Sequence, residues 1–391
     1  RRIGKKLPGG VEVPLALGTK AFGRIQDWEY GGFVAITDKA NYMIDTNKYT
    51  EDRAYFASLR LKKQIMENSS VGLLYVGKHT KQNNDGVIDI DGAFRGSNWQ
   101  LAYQAARSFK NSEGDFAFSS GFRLSSESWL TAIRAKYIGK NFDINQVGYV
   151  PWQGTTDFTL LTGPRWFYDE GYVREFLIYF GGVLYYEDVD KYTDHVALLG
   201  FNFGFRNNWG GEVTLNFGRG RDAGVKYPYY EIDVSSWFNV SPKWSGNIYG
   251  GYQKAYNFSR GYLAFYSWMG SEFSWQVMDI LQLGTSANIF VEGNPANKIE
   301  DIKYSTRPYV SITPINNLNM RTYLDNVYVR STKKIERVIV GFLFSYNFLP
   351  KSWIYLALND IDNGLDPNGN VLLKHTKDKA GVFKIKYLYY F

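Results

Sequence analysis

Along much of the chain, large apolar residues alternate with polar ones at a period of two. Trp99, Leu101, Tyr103 and Ala105 alternate with Gln100, Ala102, Gln104 and Ala106. Trp129, Thr131, Ile133, Ala135 and Tyr137 alternate with Leu130, Ala132, Arg134 and Lys136. Val213, Leu215 and Phe217 oppose Glu212, Thr214 and Asn216, and Tyr230, Ile232, Val234 and Phe238 oppose Glu231, Asp233 and Ser235. Tyr304, Thr306, Val310 and Ile312 oppose Lys303, Ser305, Arg307 and Ser311. Side chains of a strand point alternately to its two faces, so each segment is a strand between two different environments. One face is apolar; the other is polar and in most cases charged.

The connections alternate as well. Tight ones at 347–351, 314–317, 240–243, 207–210, 125–128 and 96–97 are separated by longer polar stretches at 361–379, 292–301, 219–228, 186–194, 139–154, 79–86 and 38–52. A soluble meander has no reason to keep that order, whereas transmembrane barrels place short turns on one side and long loops on the other. The expected fold is an all-β, antiparallel, up-and-down transmembrane β-barrel of about 20–22 strands, with short periplasmic turns, long extracellular loops and a single domain over 1–391. Segment counting yields about 21 strands, an odd number for such a barrel. A strand preceding the first visible one, with Arg1–Gly4 as its tail, would restore even parity.

Composition excludes the main alternatives. Aromatic residues make up 18% of the 391 residues and Pro only 11 positions, a bias towards pleated ladders. Mean hydropathy is −0.33, and no apolar run approaches the roughly 18 residues of a spanning helix. Strands that meet lipid at every second residue keep such a modest average. The absence of Cys excludes disulfides, Cys-bound metals and covalent haem on this chain. The net charge of +7 is spread one or two basic residues per strand, with no basic helix or Arg-rich tract, which argues against nucleic acid. The terminal segment sets Phe383, Ile385, Tyr387, Tyr389 and Phe391 on one face. This resembles the C-terminal signal read by the barrel assembly machinery, with Phe383, Tyr387, Tyr389 and Phe391 as its apolar positions. The expected location is the bacterial outer membrane, with lipid and that machinery as partners.

Several stretches resemble a family of largely uncharacterised outer-membrane barrel proteins of Gram-negative bacteria. They are Arg-Arg-Ile-Gly (1–4), 18–24 (GTKAFGR), 68–75 (NSSVGLLY), 86–94 (GVIDIDGAF), 142–151 (FDINQVGYVP) and the strand–turn–strand around 345–355. In that family the barrel usually follows a carbohydrate-binding-module-like β-sandwich, and Arg-Arg-Ile-Gly follows an earlier strand. The resemblance implies no catalytic residues, and no cofactor is expected.

Candidate chemistry lies on the polar faces and in the loops. Alternation points Arg60, Lys62, Arg95, Arg123, Arg134, Lys136, Lys303, Arg307, Arg321, Arg337, Lys384 and Lys386 inward, together with the acids Asp89, Asp91, Glu212, Glu231, Asp233 and Asp325. Basic residues outnumber acids by roughly two to one in this set, which would orient polar solutes in a pore. Opposite charges could equally pair and fill the lumen. Segment 139–154, with Phe142, Tyr149, Trp152 and the stiffening Pro151, is a candidate inward-folded constriction or an extracellular contact for a protein partner. Asp360, Asp362 and Asp366 around Gly364 resemble a calcium loop without its terminal Glu. Turn chemistry explains the same residues. His79, His195 and His375 are scattered, so an outer-membrane hydrolase ranks third, behind a channel for polar solutes such as oligosaccharides or anions and a non-conducting structural barrel within a larger complex.

Overall fold

The computed structural model describes residues 7–8, 11–111, 113–222, 224–257, 260–366 and 369–388. Arg1–Gly4, Tyr389 and Phe391, named above, lie outside them. Strands β1 (Leu15–Ile25), β2 (Trp28–Thr37), β3 (Ala40–Ile44), β4 (Asn47–Glu51), β5 (Ala54–Ile65), β6 (Ser69–His79), β7 (Asn84–Arg95) and β8 (Trp99–Lys110) open the chain. There follow β9 (Phe116–Ser125), β10 (Trp129–Ile138), β11 (Thr155–Phe167), β12 (Val173–Glu187), β13 (Tyr192–Phe205), β14 (Trp209–Asp222), β15 (Val225–Ser241) and β16 (Trp244–Asn257). The last are β17 (Tyr262–Met278), β18 (Leu281–Gly293), β19 (Ile299–Thr306), β20 (Tyr309–Ile315), β21 (Leu318–Val329), β22 (Lys334–Leu349), β23 (Ser352–Leu365) and β24 (Val371–Lys386). The architecture is all-β and antiparallel, each strand turning back beside the one before it.

Two departures from the simple meander are local. The β3–β4 hairpin stands apart as its own two-stranded sheet. Strands β19 and β20 lie in line, both paired with β18 and β21, because Pro308 has no N–H and interrupts the ladder. Setting the hairpin aside and joining β19 to β20 leaves twenty-one wall strands among the described residues.

The chain forms two compact units, one of Arg1–Pro164, Tyr179–Ala197 and Gly220–Lys226, the other of Arg165–Ile178, Leu198–Arg219 and Tyr227–Phe391. Within each, the register sorts side chains into two faces. In the first unit Tyr30, Leu59, Leu73, Ile88, Phe118 and Tyr137 share an exposed apolar face. In the second unit Ile232, Ile248, Met269, Val340, Leu358 and Phe383 do the same, on the side opposite Glu231, Asp233, Lys384 and Lys386, with Asp360 and Lys379 joining the apolar face beyond Leu358. The accessible area is 24826 Å², against roughly 15,700 Å² for a compact soluble monomer of this mass. A three-residue cluster, Val327, Val329 and Leu365, is all that resembles a conventional core among the described residues. Backbone ladders, and burial of the apolar face in another medium, hold such a sheet together.

On one side of the meander the connections take two or three residues, except for five at 168–172. Gln26 (φ 51°) and Lys351 (φ 59°) supply the left-handed backbone that two-residue hairpins need. On the other side the sequence reading overestimated several loops. The stretches 361–379 and 219–228 reduce to connections of 366–370 and 223–224, because the strands run on. Past the apolar zone both faces meet water, so alternation fades while the backbone ladder continues.

Candidate functional site

The polar face of the first unit is built around paired charges. Arg60 forks onto both oxygens of Asp91, one contact being 2.7 Å, and Lys62 reaches Glu29 at 3.3 Å. Lys136 (2.8 Å) and Arg134 (3.5 Å) converge on the buried Asp157. Arg95 donates to the Asn68 carbonyl at 2.9 Å and to Gln100 at 3.2 Å. Arg123 shares this face and is exposed, with no carboxylate partner among the described residues.

Segment 139–154 lies across the same face. Phe142 is 3% exposed, and together with Ile144, Val147 and Val150 it bounds a cavity of about 350 Å³ against Leu74, Val76 and Val87. Lys78, itself buried on that face, ties the segment down by donating to Gln146 at 3.0 Å, and also donates to Glu51 of β4 at 2.9 Å. Tyr149 and Trp152 are 67% and 64% exposed. Asp89 lines the cavity at 3% exposure, and neither of its oxygens accepts a hydrogen bond. The charges of Asp91 and Arg60 are close enough to act on it, and the Gln104 amide is a neighbouring donor outside hydrogen-bonding geometry.

In the second unit Lys303, Arg307, Arg321, Arg337, Lys384 and Lys386 share the polar face with Glu231, Asp233 and Asp325. Glu212 accepts from Asn202 at 3.0 Å, and Glu231 from Asn216 at 3.2 Å and from Tyr229. Arg337 lies 3.5 Å from Asp325, and Lys303 donates to the Gly369 carbonyl at 2.9 Å. Lys384 and Lys386 are exposed, with no carboxylate partner among the described residues.

Two Arg-x-Tyr triplets on neighbouring strands make a feature that alternation alone did not single out. Tyr309 pairs with Tyr323 across β20 and β21. Because the strands are antiparallel, Arg307 falls diagonally over the Tyr323 ring and Arg321 over the Tyr309 ring, each 4.4 Å from the ring centre. Neither guanidinium has a carboxylate partner among the described residues. Both border a recess of about 690 Å³ that Trp237, Asn247, Glu272 and Ser286 also line. The repeated triplets, Arg307-Pro-Tyr309 and Arg321-Thr-Tyr323, were the visible signal; the pairing register was the missing datum.

The remaining candidates separate. Strand β23 carries Asp360 and Asp362 on one face, where they meet Lys379 at 3.8 Å and Lys377 at 3.4 Å. Asp366 instead accepts from Asn370. The three aspartates thus do not converge as a calcium loop requires, because the ladder holds two of them in strand. Both nitrogens of His375 face carboxylates, Asp362 at 2.6 Å and Glu336 at 2.9 Å. His79 contacts Tyr75 at 2.6 Å and Asn84 at 3.0 Å. His195 follows Asp194 along β13 and so points to the opposite face. No His–Ser hydrogen bond joins described residues.

An antiparallel up-and-down sheet with one lipid-like face and one charged face is the fold of a bacterial outer-membrane β-barrel, and lipid is the medium its apolar face requires. No protein-family model matches the chain, and no curated protein matches its sequence. Among solved structures it is similar to the siderophore receptor PiuA from Acinetobacter baumannii, with a TM-score of 0.50 at 8% identity over 94% of this chain and 72% of that one. Lower scores come from the copper transporter OprC (TM-score 0.45, 10% identity, 91% and 68% covered) and the ferric citrate transporter FecA (0.44, 8%, 93% and 66%). At this identity the first likeness establishes the fold alone.

Proposed function

We propose that the chain is an outer-membrane channel for polar solutes that favours anions over cations. One observation carries the reading: of the exposed charges on the polar faces that have no oppositely charged partner among the described residues, the bases outnumber the acids, of which Glu272 is one. Arg123, Arg307, Lys384 and Lys386 are exposed, and Arg321 is half-buried, all without a carboxylate partner among the described residues. Most of the acids are withdrawn by comparison, Glu272 at the recess being the exposed exception and Asp233 half-buried. Asp91, Asp157 and Asp325 are spent on Arg and Lys, Glu212 and Glu231 are half-buried and hydrogen-bonded, and Asp89 is buried. A face built only to fill itself would neutralise its bases. The polar face is then the lumen wall, and segment 139–154 narrows it from within.

The motifs at 18–24, 68–75, 86–94 and 142–151 support placing the chain in the uncharacterised barrel family, with assembly into the membrane through the barrel machinery. Single-channel recording of purified protein in planar bilayers tests the channel itself. Discrete conductance steps are expected, and a closed trace at all voltages would favour the structural-barrel alternative.

A further inference from the structure

We propose that the recess beside the paired Arg-x-Tyr triplets binds an acidic sugar, a pyranose ring bearing a carboxylate. This names a solute class for the channel reading and rests on it only for the route by which the sugar arrives.

The guanidinium groups carry the argument first. Arg307 and Arg321 each set the guanidinium carbon over a ring, Tyr323 and Tyr309 respectively, at 4.4 Å from its centre. Their N–H groups make no hydrogen bond or ion pair among the described residues. A planar fork with open donors matches the two oxygens of a carboxylate, and the aromatic ring beneath pre-orients it. Of the acids nearest in the register, Asp325 is engaged with Arg337 at 3.5 Å, and Glu272, at the edge of the recess, takes the Asn247 amide at 3.4 Å and forms no ion pair with either Arg. The pair therefore awaits an external anion.

The rest of the recess fits a sugar better than a bare anion. Its volume of about 690 Å³ lies within the range of small-molecule sites and far exceeds the space that phosphate or chloride would fill. Trp237 stands 39% exposed on the same polar face and offers a flat apolar plank to a sugar ring. Glu272 and Ser286 border the space, and the Asn247 side-chain oxygen is buried without a hydrogen bond. These groups suit sugar hydroxyls, which both donate and accept. Ring, hydroxyls and carboxylate each have a counterpart, and every one belongs to the second unit.

Calorimetric titration of the purified protein in detergent micelles with digalacturonate, and in parallel with maltose, tests the site. Digalacturonate should bind saturably and at least tenfold more tightly than maltose. Arg307→Gln and Arg321→Gln should each weaken it at least tenfold while keeping the heat-modifiable gel mobility of a folded barrel. Inorganic phosphate at equal concentration should not displace it. Equal affinity for maltose, unchanged binding by folded variants, or full displacement by phosphate would overturn the inference. So would absence of binding. Should both variants fail to fold, the wild-type comparison of the two sugars decides alone. Binding without conductance would leave the site standing and remove the channel reading, whereas conductance without binding does the reverse.

Discussion

Asp89 holds a carboxylate in a mostly apolar cavity, at 3% exposure and without a hydrogen bond to either oxygen. A buried polar group left unsatisfied costs about 1–3 kcal/mol, and more when charged. Asp89→Asn removes the charge and keeps the shape, so it should stabilise the fold by about 1 kcal/mol. The heat needed to shift the folded band on a gel should rise, and a fall would show that the carboxylate has a partner. At this scale alternation read the side of the strand on which each residue lies. Gly92 opposite Tyr103 on one face, and Asp91 opposite Gln104 on the other, follow the period of two. Depth was not legible, because the exposure of Asp89 depends on a distant segment folding over it. Nor was the placing of Arg307 over Tyr323, which arises only when two strands are set in register.

Elements were legible where the two faces differ and blurred where they do not. Trp129–Tyr137 alternates over its whole length and forms β10. By contrast, 374–379 (KHTKDK) is polar on both faces and read as loop, yet it belongs to β24, paired with β23. Segment 139–154 shows the converse. Its length marked it as unusual, but its resting place depends on Phe142 entering the apolar recess and on Lys78 reaching Gln146. Replacing a buried Phe by Ala costs about 3–5 kcal/mol in a packed core. Much of that cost in Phe142→Ala should fall on docking of this segment, since the ladder beneath does not need it. Trypsin should then cut at Lys140 faster in the variant than in the wild type, with the barrel fragments still folded. Unchanged cleavage would show that Phe142 does not anchor the segment.

At the scale of the whole molecule, charge sorts into pairs and leftovers, and only the leftovers act at a distance. A pair such as Lys136 and Asp157 at 2.8 Å is nearly a dipole, whose field dies off within a few ångström. Arg123, Arg307, Arg321, Lys384 and Lys386 keep a net field that salt alone screens. The screening length is about 10 Å at 0.1 M salt, comparable with the reach of these side chains into a lumen, and about 3 Å at 1 M. Reversal potentials across a KCl gradient should therefore report chloride favoured over potassium near 0.1 M, with the preference fading towards none at 1 M. Neutralising Arg123, Lys384 and Lys386 together to Gln should abolish most of the preference at low salt. Arg60→Gln should change it much less, because it removes one member of a pair and exposes a single acid, Asp91, deep on the wall. A preference that ignores salt would point to a narrow steric filter instead of a field, and cation preference at low salt would place the acids, not the bases, in contact with the permeating ion.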